Sequence, residues 1–241
     1  LAIQIGTNFA NDYSDGVRGT DDARVGPARL VGGGMASPRA VNIAALLSFA
    51  VAAAAGLTLA AAVGPELVVV GALCFAAGWY YTGGSKPYGY SGLGEVAVFV
   101  FFGLVAVIGS AYVHTQEVTR LAILAAIPIG LLATALLVVN NLRDIASDRV
   151  AGKRTLAVRL GPRKTSDLYA ACILFPFGFV GMIALSHLPA LIAMLSGVLA
   201  FPLVGHVTPK ATAPELIDAL GRTGKLQLAY GGLLALGIVV G

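Results

Sequence analysis

Charge is scarce in this sequence. Asp, Glu, Lys and Arg make up 12% of its 241 residues, about half of what a soluble domain carries. Against that stand 57% hydrophobic residues and a mean hydropathy of +0.84. Cysteine is nearly absent too: only Cys74 and Cys172 occur, both inside apolar runs, which excludes a disulfide framework and a thiolate metal centre. The three histidines, His114, His187 and His206, are isolated near helix ends and receive no role. The net charge of +4 resides in loops that also hold acids, so nucleic-acid binding does not explain it. The first residue is Leu rather than Met, no signal peptide is expected, and Leu1–Phe9 is too short to span a bilayer. The chain is therefore expected to begin inside a helix, as an N-terminally truncated single domain over residues 1–241.

What is abundant is long apolar sequence. Segments near 40–63, 66–82, 95–113, 119–141, 166–186, 189–206 and 224–241 each approach the roughly 20 residues that cross a ~30 Å hydrocarbon core. With the helix end at 1–16, this predicts an all-α polytopic membrane bundle of eight helices, the first and last incomplete. Alternation places loops 17–39, 83–94, 142–165 and 207–223 on one side of the membrane. Of the 16 Lys and Arg residues, only Arg120 lies off that side. The positive-inside rule makes it cytoplasmic.

Two acidic motifs fall on that same side. Asn140, Asp144 and Asp148 emerge from the apolar run 121–139 at i, i+4 and i+8, and at about 100° per residue they share one helical face. Asn8, Asp12 and Asp15 repeat the pattern at i, i+4 and i+7, with Asn11 bordering the face. The two stretches echo each other as a possible parallel repeat. Carboxylates beside hydrocarbon are costly and point to function. As hard oxygen donors they suit Mg²⁺, which keeps waters and substrate phosphates among its ligands, and paired metal ions clamp a leaving diphosphate.

Cations gather nearby. Arg29, Lys86, Arg143, Lys153 and Arg154 are candidates for the outer phosphate oxygens. Lys86 stands out in the compact loop GGSKPYGYSGLG that follows Trp79-Tyr80-Tyr81. Tyr80, Tyr81, Tyr88 and Tyr90 could face a carbocation with their rings, although an interfacial aromatic belt accounts for them equally. Glu95 is either a helix N-terminal acid or a site residue.

The strings TNFANDYSDGVRGTDDARVGPARLV, YYTGGSKPYGYSGLGE and NNLRDIASDRVAGKRTLAVRLG resemble the UbiA superfamily of intramembrane aromatic prenyltransferases. Within it they are most similar to members that prenylate 1,4-dihydroxy-2-naphthoate in menaquinone synthesis. The resemblance runs by motif from residue 1 to about 165 and by hydropathy alone to 241. It implies nine transmembrane helices around a cavity open to lipid, with eight of the nine visible here.

By position Asn11, Asp12 and Asp15 match the first motif, and Asn140, Asp144 and Asp148 the second. The four aspartates are then the expected Mg²⁺ ligands, with Lys86 in a catalytic role. Asn8, Asn11, Asn140, Arg143, Lys153, Arg154, Tyr80, Tyr81 and Arg29 are expected to bind substrate. The family pattern has a further Asp four residues after Asp15, where this chain has Gly19. Asp21 or Asp22 is expected to supply that ligand.

The implied reaction transfers a polyprenyl group from its diphosphate to dihydroxynaphthoate, with loss of pyrophosphate and CO₂, giving demethylmenaquinone. The expected partners are these two substrates and the lipid bilayer, with no nucleic acid and no obligate protein. The expected location is the bacterial plasma membrane, with the site towards the cytoplasm.

Other readings fit less well. A related enzyme acting on 4-hydroxybenzoate shares the Asp logic. A CDP-alcohol phosphotransferase requires Ala-Arg after Asp12-Tyr-Ser-Asp15-Gly16, where this chain has Val17-Arg18-Gly19. A cation or solute transporter would carry its acids at mid-span, whereas these sit at one membrane face.

Overall fold

The computed structural model describes residues 1–20 and 29–241, so Asp21 and Asp22 lie outside the described residues. Among these residues eight longer helical segments follow in order, with a short 3-10 helix at Tyr88–Ser91 between the third and fourth: α1 (Ala2–Val17), α2 (Pro38–Val63), α3 (Glu66–Tyr80), α4 (Gly94–Thr115), α5 (Arg120–Val150), α6 (Leu156–Ala184), α7 (Leu188–His206) and α8 (Ala213–Val240). No strand occurs among the described residues. Backbone groups inside hydrocarbon have no water to bond, so an apolar chain satisfies them within helices. Six segments, α2 and α4 to α8, are long and apolar enough to cross a membrane. The chain is a polytopic membrane protein. Helices α1 and α3, at 16 and 15 residues, are shorter than the six.

The described residues form two compact units. The first comprises Leu1–Gly94 and Ser147–Thr155. In it α1 packs on α2 and α3, using glycine for close approach. A Cβ at Gly6 would stand 2.8 Å from the Phe49 ring, and one at Gly78 would stand 2.5 Å from the Thr7 hydroxyl. Phe49 in turn meets Phe75 edge-on, with centroids 5.6 Å apart, and Trp79 at 6.4 Å. Helix α2 buries only Val41, Ala45 and Ala60. Its exposed Leu46, Leu47, Val51 and Leu57 suit a hydrocarbon solvent.

The second unit comprises Glu95–Ala146 and Leu156–Gly241. Its centre is α5, where Leu132, Ala135, Val138 and Val139 are fully buried. Helix α4 widens to π-helical winding over Phe99–Ile108, and there Gly103 lies against Gly130 of α5 so closely that a Cβ would be 2.5 Å from the Gly130 Cα. Two buried tyrosines are satisfied between helices, as an apolar interior requires. The Tyr169 and Thr223 hydroxyls bond at 2.6 Å, and Tyr230 donates to the Pro176 carbonyl at 2.7 Å.

Two expected loops are largely helix. The stretch 142–165 continues α5 to Val150, ends at the left-handed Gly152 (φ 73°), and resumes as α6 at Leu156. A second left-handed glycine, Gly161 (φ 76°), breaks α6 just before Pro162. The stretch 207–223 becomes helix at Ala213, where Glu215 accepts from the Thr212 backbone N–H and hydroxyl. Apolar windows mark where hydrocarbon ends, whereas a helix persists beyond it wherever caps and spacing allow.

Candidate active site

The first acidic motif occupies the last turns of α1. Asp12 and Asp15 are each only 5% exposed, so neither is a solvated surface acid. Both oxygens of Asp12 accept backbone N–H groups, from Leu30 and Val31 at 2.9 Å each. This fastens the chain after the large loop onto α1. Asn11 accepts a hydrogen bond from the Thr82 hydroxyl at 2.8 Å. Asp15 receives the Tyr90 hydroxyl on one oxygen and the Lys153 ammonium on the other, at 3.3 Å.

Tyr90 is the hub of this cluster. Its ring has the Lys153 ammonium 4.6 Å from its centroid and the Arg18 guanidinium at 5.6 Å, within cation–π range. Arg18 also donates to the carbonyls of Thr82 and Gly84. The Tyr90 carbonyl accepts the Arg154 backbone N–H at 2.8 Å. Burial first, then the Asp15 charge, push the Tyr90 hydroxyl above the ordinary tyrosine range, so it stays a proton donor to Asp15. Neighbouring Tyr88 is pushed up to about 12 by burial and donates to the Ala77 carbonyl.

The end of the second motif belongs to the same unit. Asp148 accepts the Thr155 hydroxyl at 3.3 Å, and its carbonyl accepts the Lys153 backbone N–H at 2.8 Å. The five-residue turn after α5 thus aims Lys153 at Asp15, 138 positions earlier.

The remainder of the second motif lies in the second unit. Arg143 forks onto both oxygens of Asp144 at 2.7 Å and donates to the Asn140 side-chain oxygen at 2.9 Å. Its side chain is 1% exposed. Its charge is therefore committed to holding Asp144 rather than projecting into solvent. Beside it, Asn141 donates to Glu95 at 2.9 Å, and both are buried.

The other expected site residues are less engaged. Asn8, Lys86 and Arg154 are exposed, and Tyr80 is 56% exposed. Tyr81 is half-buried and stacks edge-on against Tyr88 at 5.5 Å. Arg29 is half-buried, with its Nε atom buried and unpartnered among the described residues. The motifs did not single out Arg18, Thr82, Asn141 or Thr155, and offered Tyr90 only as an aromatic wall. Their one sequence signal was proximity to the motifs, because, Thr155 aside, they pair across 46 to 75 positions, which leaves no local trace.

The donor set fits a hard divalent cation. Carboxylate oxygens retain lone pairs beyond the bonds just described. Moreover, Lys153 on Asp15 and Arg143 on Asp144 are cations standing where positive charge is favoured. No group of three His, Cys, Asp or Glu side chains converges among the described residues.

Comparison with known proteins agrees with this chemistry. The 1,4-dihydroxy-2-naphthoate octaprenyltransferase of Mycobacterium tuberculosis is 47% identical over 98% of this chain and 82% of its own length. The enzyme of the same name from Haemophilus influenzae is 36% identical over 100% and 82%, and that from Bacillus subtilis is 31% identical over 100% and 78%. The sequence profile of the UbiA prenyltransferase family matches residues 1–213. The profile match over residues 1–213 and the identity to these relatives across nearly the whole chain place it in that family: this protein belongs to the UbiA prenyltransferases and is a membrane-embedded enzyme.

Proposed function

We propose that this aromatic prenyltransferase moves a polyprenyl group from its diphosphate to 1,4-dihydroxy-2-naphthoate, releasing pyrophosphate and CO₂ and forming demethylmenaquinone. One observation carries the reading. Lys153, five residues beyond Asp148, meets Asp15 of the first motif, so acids of both motifs and a cation share one compact unit. The relatives' names supply the acceptor and the isoprenoid class of the donor.

In this reading Asp12, Asp15, Asp144 and Asp148 would hold Mg²⁺, which would supply positive charge to neutralise a departing diphosphate. Lys153, seated on Asp15, is placed to serve a phosphate oxygen, and Lys86 and Arg154 contribute further positive charge. Arg143 keeps Asp144 oriented. Asn8, Asn11, Asn140 and Arg29 bind substrate, while Tyr80 and Tyr81 face the allylic cation. The apolar helices exclude water, so the cation is captured by the electron-rich ring rather than hydrolysed. Catalysis then rests on charge stabilisation and positioning. The acidic motifs face the cytoplasm from the bacterial plasma membrane, and no protein partner is required.

The test is purified enzyme in detergent given a panel of aromatic acids and polyprenyl diphosphates, with and without Mg²⁺. The reading expects a decarboxylated prenyl naphthalenediol only with dihydroxynaphthoate and metal. Preference for 4-hydroxybenzoate would move the acceptor assignment to that related activity.

A further inference from the structure

One buried acid has no part in the scheme above. Glu95, the second residue of α4, is 5% exposed. Its Oε1 atom is held by the Asn141 amide at 2.9 Å, while its Oε2 atom is buried without a hydrogen-bond partner among the described residues. A buried carboxylate oxygen left unpaired is strongly unfavourable, and native structures seldom keep one without a reason. Asn141 fixes which oxygen remains open. It is itself buried and belongs to α5, three residues before Asp144. On a helix that spacing is nearly one turn on the same face, about 4.5 Å towards the apolar run.

We propose that the Glu95 Oε2 atom is the binding point for a ring hydroxyl of the aromatic acceptor, which donates its hydrogen bond to the carboxylate. This rests on the acceptor reading above. The chemistry favours a hydroxyl over other occupants. A metal ion would require more anionic ligands, and the side chain that holds Glu95 is a neutral amide. An acceptor carboxylate would be repelled by Glu95. A neutral hydroxyl donor satisfies the open oxygen without adding charge to an apolar surrounding. The contact breaks no bond to hydrogen. It orients the ring one turn inward from Asp144 and raises electron density on the carbon to be prenylated. Asn141 acts through Glu95 and is a positioning residue.

Binding of 1,4-dihydroxy-2-naphthoate, 1-hydroxy-2-naphthoate and 4-hydroxy-2-naphthoate, read by the ligands' own fluorescence, tests this without turnover. In the wild type, loss of one particular hydroxyl should weaken binding about ten- to hundredfold, the range for a hydrogen bond to a charged group. In Glu95→Gln, whose amide N–H cannot accept that bond, the difference between the two ligands should vanish while donor binding is unchanged. Glu95→Asp, which withdraws the oxygen by one carbon, should narrow the difference and covers the case in which the glutamine variant does not fold. The same discrimination in wild type and variants overturns the assignment. A wild type that binds and prenylates dihydroxynaphthoate while showing no such coupling rejects this contact alone. A wild type that binds none of the three rejects the acceptor reading as well.

Discussion

The Lys153 ammonium lies 3.3 Å from an Asp15 oxygen, and both side chains are largely buried at 13% and 7% exposure. An ion pair this sheltered is screened far less than a surface pair. It is a cation already seated on an acid of the first motif. Lys153→Met should therefore raise the KM for the prenyl diphosphate about tenfold or more, the scale of one lost charge-assisted hydrogen bond. The acceptor KM should hold, and Lys153→Arg should recover part of the loss. Steady-state kinetics with each substrate varied in turn measures both.

Arg143 holds Asp144 through a two-point fork, so neutralising the acid leaves a buried guanidinium without its counter-charge. Asp144→Asn should lower turnover by two orders of magnitude or more, roughly the size of one lost electrostatic contact at a developing charge. Expression and membrane insertion should be retained. Wild-type-like turnover of this variant removes Asp144 from the proposed metal set.

Tyr90 does two separable things: its hydroxyl bonds Asp15, and its ring has Arg18 and Lys153 within cation–π range. Tyr90→Phe keeps the ring and loses only the hydroxyl, so activity should fall about tenfold with little change in melting temperature. Tyr90→Ala loses both and should also cost about 2 kcal/mol of stability through the lost cation–π packing. Thermal unfolding of the two variants in the same detergent distinguishes these effects.

Where Gly103 meets Gly130, the obstructing atoms are backbone, which cannot rotate aside. Gly103→Ala should destabilise the protein by about 1–3 kcal/mol, the range for overpacking a tight contact. Gly109 on the same helix has open space around its missing Cβ, and Gly109→Ala should be neutral or mildly stabilising. Parallel melting curves give the comparison.

Chelation provides the metal test. Excess EDTA should abolish transfer while leaving the helix content of the protein intact, and Mg²⁺ should restore it, because the described helices are held by packing and internal hydrogen bonds. Activity that persists through exhaustive chelation contradicts the proposed role of the four aspartates.

Much of this protein is written locally. Apolar run length dictates membrane helices, since hydrocarbon tolerates only chains that satisfy their own backbone. The i, i+4 spacing of Asn140, Asp144 and Asp148 dictates a shared face, and the same periodicity explains why α5 runs on to Val150 through a stretch that hydropathy alone assigns to a loop. What the tertiary structure decided is which distant groups meet: Lys153 with Asp15, Arg18 with the Thr82 and Gly84 carbonyls, Asn141 with Glu95, Gly103 with Gly130. Periodicity fixes the direction of a side chain from its own helix. The identity of its partner depends on how helices separated by 27 to 138 residues pack, and that is settled by side-chain shape and buried charge summed over the fold.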